Sequence, residues 1–145
     1  MTAKLEGFRE LDAALGKLPK ATAKNVLRRV LKKAADPIDQ DASAAAPFLT
    51  GGLQRSVIAG TRLTRSQRRG SYLQTSNYYA EIHIGTSQSK GMFQEFGTFK
   101  DTAQPWFRPA WEANKTVALK IIGDELKIEI EKAAKRYAKK LAKGA

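Results

Sequence analysis

Residues 105–143 read PWFRPAWEANKTVALKIIGDELKIEIEKAAKRYAKKLAK. Within this segment Leu119, Ile122, Leu126, Ile130, Ala133, Tyr137 and Leu141 recur at spacings of three and four, and Ile121 and Ile128 widen the stripe. That period predicts an amphipathic helix from about residue 109 to residue 143. At 1.5 Å per residue such a helix is about 50 Å long if unbroken. A compact domain of 145 residues has a radius of gyration of only about 15 Å. The helix must therefore break near Gly123 or project past its own domain. A projecting helix with an apolar stripe needs another chain to cover it, which favours an oligomer.

Upstream, Leu5, Phe8, Leu11, Leu15 and Leu18 form one face of a short helix that Pro19 closes. A second helical pattern runs through Leu27, Leu31, Ala34, Ile38, Ala42 and Ala45 and ends at Pro47. Pro37 lies inside it and predicts either a kink or a fresh start, with Asp36 as N-cap and Pro37 in the first helical position. The middle third changes character. Thr50-Gly51-Gly52 is turn chemistry, and Ser56 to Arg65 is rich in β-branched residues. From Tyr79 to Gly85 the chain alternates, with Ala80, Ile82 and Ile84 on one face and Tyr79, Glu81 and His83 on the other. At least two antiparallel strands are expected, joined by a long flexible basic loop, with a third around Tyr72 to Gln74 as a further candidate. The expected architecture is α+β in a single domain, 1–145, with helices over 5–46, a β-region over 53–86 and the long helix at the C-terminal end.

The formal net charge is +12, from 26 basic and 14 acidic residues. Divided at Pro47 and Pro105, the chain carries +3, +4 and +5 in successive segments, so no detached basic tail holds the excess. The sharpest cluster is Arg62, Arg65, Arg68 and Arg69, with no acid between Arg55 and Glu81. An excess of this size on a small domain points to an acidic partner or a polyanion. At 42% hydrophobic residues the chain can bury a core, which excludes a disordered polyelectrolyte. It has no cysteine, hence no disulfide framework, thiolate metal site or cysteine nucleophile. Its apolar runs fall far short of a membrane span. The start, Met1 to Glu6, lacks a signal peptide's apolar stretch, so synthesis in the cytoplasm is the expectation.

The inventory for chemistry is thin. The lone histidine, His83, shares a strand face with Glu81, but a metal site or a nucleophile would need a third group that no motif supplies. Glu95 and Asp101 flank a turn and form no recognisable acid pair. Gly91, Gly97 and the Gly51-Gly52 pair fit neither a phosphate loop nor a dinucleotide fingerprint. No enzyme activity, cofactor or metal is expected. Nucleic-acid binding has more to support it: the Arg62–Arg69 cluster is flanked by Tyr72, Tyr78 and Tyr79, a pairing of cations with stacking rings. No helix-turn-helix, zinc-finger or single-strand-binding signature accompanies it.

Three segments place bulky apolar residues among glycines and prolines in stretches that read as loops: Pro47 to Ser56, Phe93 to Thr98, and Pro105 to Ala110. The rings of Trp106 and Phe107 are costly to leave in water, so they either plug the end of the core or also shape a subunit interface. Glu95 has two candidate partners, Arg108 and Arg55. In chain order the motifs are Thr50-Gly51-Gly52-Leu53-Gln54-Arg55-Ser56, Glu95-Phe96-Gly97-Thr98 and Pro105-Trp106-Phe107-Arg108-Pro109-Ala110. With a helical region ending in proline before them and a helix after them, they resemble the tail-completion or head–tail joining proteins of long-tailed bacteriophages and prophages. The resemblance spans about residues 5 to 115. Gly91-Met92-Phe93-Gln94 departs from it, lacking the His or Tyr often found there, although Phe93 keeps an aromatic ring.

The resemblance implies a non-enzymatic virion protein, located in the tail or the head–tail neck, that assembles as a homo-oligomeric ring, a hexamer by usual expectation. Its implied partners are the head connector or head-closure protein and the tail tube or tail terminator protein, with no membrane. The motif residues Thr50, Gly51, Leu53, Ser56, Glu95, Phe96, Gly97, Thr98, Pro105, Trp106, Phe107, Arg108 and Pro109 are the implied interface set. Arg62, Arg65, Arg68 and Arg69 are candidates for contact with a partner or with transiting double-stranded DNA, which needs weak, sequence-blind contacts. The alternative is a basic nucleic-acid-binding protein that acts alone.

Overall fold

The structure, a computed structural model, describes residues 7–48, 50–69 and 80–144. Two long helices form its frame. Helix α1 (Phe8–Gly16) leads through Pro19 into α2 (Lys20–Ala45), and the chain ends in α6 (Phe107–Gly144). Between them lie α3 (Gly52–Ser56), β1 (Val57–Gly60), α4 (Arg65–Arg69), β2 (His83–Thr86) and α5 (Ser89–Phe96). The expected α+β architecture is therefore what forms: N-terminal helices, a small antiparallel sheet and a long C-terminal helix. Among the described residues no helix is long and apolar enough to cross a membrane.

Helices α2 and α6 run antiparallel along their lengths. Near the start of α2, Ala23, Val26 and Val30 pack on Leu126, Ile130 and Ala133, with Leu15 and Leu18 closing the layer. Midway, Ala34 and Ile38 meet Ala118, and Ile84 of the sheet leans on them. At the far end Ala42 and Ala46 meet Trp106, Ala110 and Val57. Polar groups repeat the alignment along the edge: Arg29 pairs with Glu129 at 3.1 Å, Lys33 with Glu125 at 2.7 Å, and the Asn114 amide donates to Asp41 at 2.5 Å.

This pairing decides the two helix questions that the sequence poses. Pro37 does not start a new helix, because α2 continues through it. The lost backbone bond is offset by Ala34, Ala35 and Ile38, buried on both sides of the proline. Gly123 does not break α6 either, since Ile122 and Leu126 hold the neighbouring turn in the core. The helix therefore projects: Ala133 is its last buried residue. The α2 stripe is also shifted from the expected one. Val26 and Val30 are deepest, while Leu27 and Leu31 are half-buried and Ala45 is exposed, because α1 and α6 cover α2 from two directions.

The sheet is shorter than its sequence pattern. Val57 pairs with Thr86 and Gly60 with His83, and neither 61–65 nor 80–82 joins the ladder. The connector is not loop throughout, because Arg65–Arg69 forms a helical turn with a reciprocal cap. The Gln67 N–H donates to Thr64 Oγ1 at 3.2 Å while Thr64 N–H donates to Gln67 Oε1 at 3.0 Å. The candidate strand at Tyr72 to Gln74, with Tyr78 and Tyr79, lies outside the described residues, as does Leu5.

Candidate functional site

The three motifs that read as loops hold the short helix α3, the end of α5 and the start of the long helix α6, and they meet at one corner. Hydrophobic periodicity could not show this. Helices α3 and α5 are only five and eight residues long, and their buried positions include Gly91 and Glu95.

The first motif turns the chain from α2 into the sheet. Gly51 has φ +71, and a Cβ there would lie 2.8 Å from Arg55 Nη1 and 3.0 Å from the Phe48 ring. Arg55 folds back and donates through Nη2 to Thr50 O at 3.2 Å. Gln54 Nε2 donates to Ala46 O at 3.1 Å, and Ser43 Oγ donates to Gln54 O at 2.9 Å, tying α3 to the end of α2.

Ser56 begins a relay of hydroxyls. Its Oγ–H goes to Leu53 O at 2.7 Å, so Thr86 Oγ1, 2.6 Å away, donates to Ser56 and in turn accepts from Gln88 N–H at 3.0 Å. Gln88 Nε2 reaches back to Gly52 O at 3.2 Å. The start of α5 is thus fixed to the first motif through Thr86.

Glu95 closes the corner, although it is only 7% exposed. Its Oε2 accepts the backbone N–H groups of Trp106 and Phe107, both at 2.8 Å, and its Oε1 accepts that of Arg108 at 3.1 Å. These are the first donors of α6, which no carbonyl of the helix can satisfy. The next residue, Pro109, has no N–H to offer. One carboxylate and one proline therefore settle the whole N-terminus of α6, and the helix dipole favours the negative charge there. Burial alone would raise the Glu95 pKa. The three backbone hydrogen bonds, from Phe107, Trp106 and Arg108, together with the Arg108 charge, outweigh it and hold the carboxyl below the usual range. With both oxygens committed and its charge stabilised, Glu95 is unsuited to take up a proton at neutral pH.

Of the two arginine partners, Arg108 is the one that pairs, with Nε 3.5 Å from Glu95 Oε1. Its guanidinium also stands 5.3 Å from the centroid of the Phe96 ring. Trp106 is buried, donates through its indole N–H to Gly91 O at 2.9 Å, and meets Phe107 edge-on at 5.7 Å. Gly91 is where α5 comes closest: a Cβ would lie 2.5 Å from Thr86 Cγ2 and 3.2 Å from Trp106 Cζ2. Gly97, at φ +76, ends α5 where a Cβ would strike Ala103 N at 2.8 Å. A tight turn follows, with Thr98 N–H donating to Asp101 O at 2.9 Å and Gln104 N–H to Gln94 O at 2.7 Å.

All three motifs thus converge, whereas the four arginines of the connector do not join them. Arg62, Arg65, Arg68 and Arg69 are exposed on and beside α4, which is hung on the sheet edge by a bond from Gln67 Nε2 to Thr86 O at 3.1 Å. Glu81 and His83 approach to 3.6 Å, and among the described residues no group of three or more His, Cys, Asp or Glu could hold a metal ion. Sequence reasoning missed Thr86, Gln88 and the role of Gly91, for which one chain carries no signal. It also missed the reciprocal cap of α4, which the Thr64-x-x-Gln67 spacing does signal.

Outside this frame several apolar side chains face solvent. Phe48, Met92, Phe93, Phe96 and Phe99 are all exposed. A shallow recess of about 290 Å³ opens between Met92, Phe96, Phe107 and Arg108.

Neither curated proteins nor solved structures yield a match to the chain. Among protein families, residues 9–97 match the one described as "Bacteriophage HK97-gp10, putative tail-component". The matched span holds the first motif and Glu95-Phe96-Gly97 of the second, so the frame around α2, the sheet and α5 lies within it. The match covers more than half of the chain, which therefore belongs to the HK97-gp10 family of bacteriophage tail components.

Proposed function

We propose that this chain, acting as one domain, is a non-enzymatic ring subunit that completes the tail at the head–tail interface. A tail component is a part of the virion, and its work is structural. The ring is taken as a hexamer, seated between the head connector or head-closure protein and the tail tube or tail terminator protein. The observation that carries this reading is the corner itself. Its buried polar groups are spent on one another, while Phe48, Met92, Phe96 and Phe99 stay outside on a frame fixed by Glu95, Gly97 and the relay through Thr86. Exposed apolar side chains held on a rigid corner suit a heterologous, head-to-tail contact between neighbours. The arginines on and beside α4 face either a neighbouring ring or DNA passing through, as sequence-blind phosphate contacts.

Electron microscopy and native mass spectrometry of the chain, alone and mixed with tails that lack it, test the reading. Rings or tail-end caps that disappear in a Phe96→Ser, Phe99→Ser variant are the expected result. A persistent monomer with salt-sensitive binding to free duplex overturns it in favour of a stand-alone nucleic-acid-binding protein. Replacing Arg62, Arg65, Arg68 and Arg69 with Ser isolates their part. Unchanged assembly and DNA retention would remove them from the mechanism.

A further inference from the structure

Helix α6 outruns the described residues that it packs on. From Ala134 to Gly144 every residue is exposed, a rise of about 16 Å, or three turns. Three rows of side chains run along this end. Tyr137 and Leu141 continue the line of Ile130 and Ala133 that packs on α2. On one side of that line the helical period sets Arg136, Lys140 and Lys143, and on the other Ala134, Ala138 and Ala142. The last acid is Glu131, so the five cations from Lys135 to Lys143 follow without an anion among them. Cations near a helix C-terminus complement its dipole, but like charges three and four residues apart repel one another, and an anionic partner would relieve that repulsion.

The three rows together select the kind of partner. The same end of a second copy would bring cations against cations, on a chain already at +12. A duplex would use the cations but neither the Tyr137–Leu141 line nor the alanine row. An anionic lipid surface takes an amphipathic helix by a wide apolar face, and here that line is two side chains long. A helix with an apolar stripe flanked by Asp or Glu uses all three: the alanines permit close approach of the axes, the line continues the core, and the cations find carboxylates. We propose that the last three turns of α6 are a docking surface for an acidic-faced helix of a different protein, which prolongs the α2–α6 pairing past the start of α2. The inference does not rest on the ring, since a monomer carries the same surface.

The full chain is titrated with a synthetic peptide of about 20 residues, long enough to form a helix, with Leu and Ala on one face and Glu flanking them. A scrambled peptide of the same composition, a duplex DNA and vesicles of anionic phospholipid are titrated in parallel. The ordered peptide should bind about tenfold or more tightly than the scrambled one, and added salt should weaken it. Leu141→Ser and the double variant Arg136→Glu, Lys140→Glu should each lower its affinity about tenfold, with the far-ultraviolet dichroism of the free chain unchanged. No binding of the ordered peptide, equal binding of both peptides, or loss of DNA or vesicle binding instead through the same substitutions each overturns the proposal.

Discussion

The two ends of α6 belong to one helix and are built in opposite ways. At the N-terminus three backbone donors are taken by a buried carboxylate from another helix, and Trp106 beside them is 4% exposed. At the C-terminus, from Ala134 on, every described residue is exposed, Tyr137 at 37% and Leu141 at 57%. The first end is finished within the chain and its substitution should be felt as lost stability. The second is unfinished, and its substitution should be felt only when a partner arrives. That separation can be broken by measurement.

The largest effect belongs to Trp106. Trp106→Ala empties the layer shared with Ala42, Ala46, Val57 and Ala110 and leaves Gly91 O without its indole donor. The unfolding free energy should drop by about 3–5 kcal/mol in a denaturant titration. A loss under about 1 kcal/mol would mean that the corner is not a packed core.

Glu95→Ala comes next, at about 2–3 kcal/mol, because it strands three donors at a buried helix end. Its pH dependence has a definite sign. The carboxyl is held below its ordinary range in the fold, so its contribution is complete above that range and is lost as pH falls through the depressed folded value. Wild-type stability should fall over that acid interval, and Glu95→Gln, which has no proton to gain, should lack this part of the decline.

The contrast between the ends also marks how much of the molecule is legible in its sequence. The long helix is readable because Ile122, Leu126, Ile130 and Ala133 repeat with the period of the surface they meet, and its length leaves two outcomes, a break near Gly123 or a projection. The corner is not, although every motif in it can be quoted from the sequence. Glu95 caps a helix that starts 12 residues further on, so its partner is fixed by tertiary structure and not by spacing. Thr86 carries no pattern, yet it links Ser56 to Gln88. Pro37 reads as a kink or a fresh start only while α2 is considered alone; the face it shares with α6 changes the balance.

A smaller effect of opposite sign sits on α2 between the two ends. Asp39 Oδ1 is buried and has no hydrogen-bond partner among the described residues. Burial, and then the Asp36 charge, raise the Asp39 pKa, so its ionised form costs stability and the cost fades as pH falls through the raised value. Asp39→Ala removes the unpaired oxygen and adds a better helix former, and should raise the thermal midpoint by the equivalent of about 1 kcal/mol. A lower midpoint would mean that the carboxylate has an interaction that its buried oxygen conceals.

The smallest expected change is the sharpest test of the contrast. Leu141 lies past the last buried residue of α6 and is 57% exposed, so Leu141→Ser removes little packing and should move the unfolding free energy by less than about 0.5 kcal/mol. Trp106→Ala and Leu141→Ser each remove a large apolar side chain from the same helix, and they differ in what the chain itself supplies around that side chain. If Leu141→Ser destabilises the isolated protein by 1 kcal/mol or more, roughly the scale of a real packing loss, the C-terminal turns are packed in solution and the comparison fails. If stability holds while binding of an acidic helix is lost, the apolar line at Tyr137 and Leu141 acts between molecules and not within one.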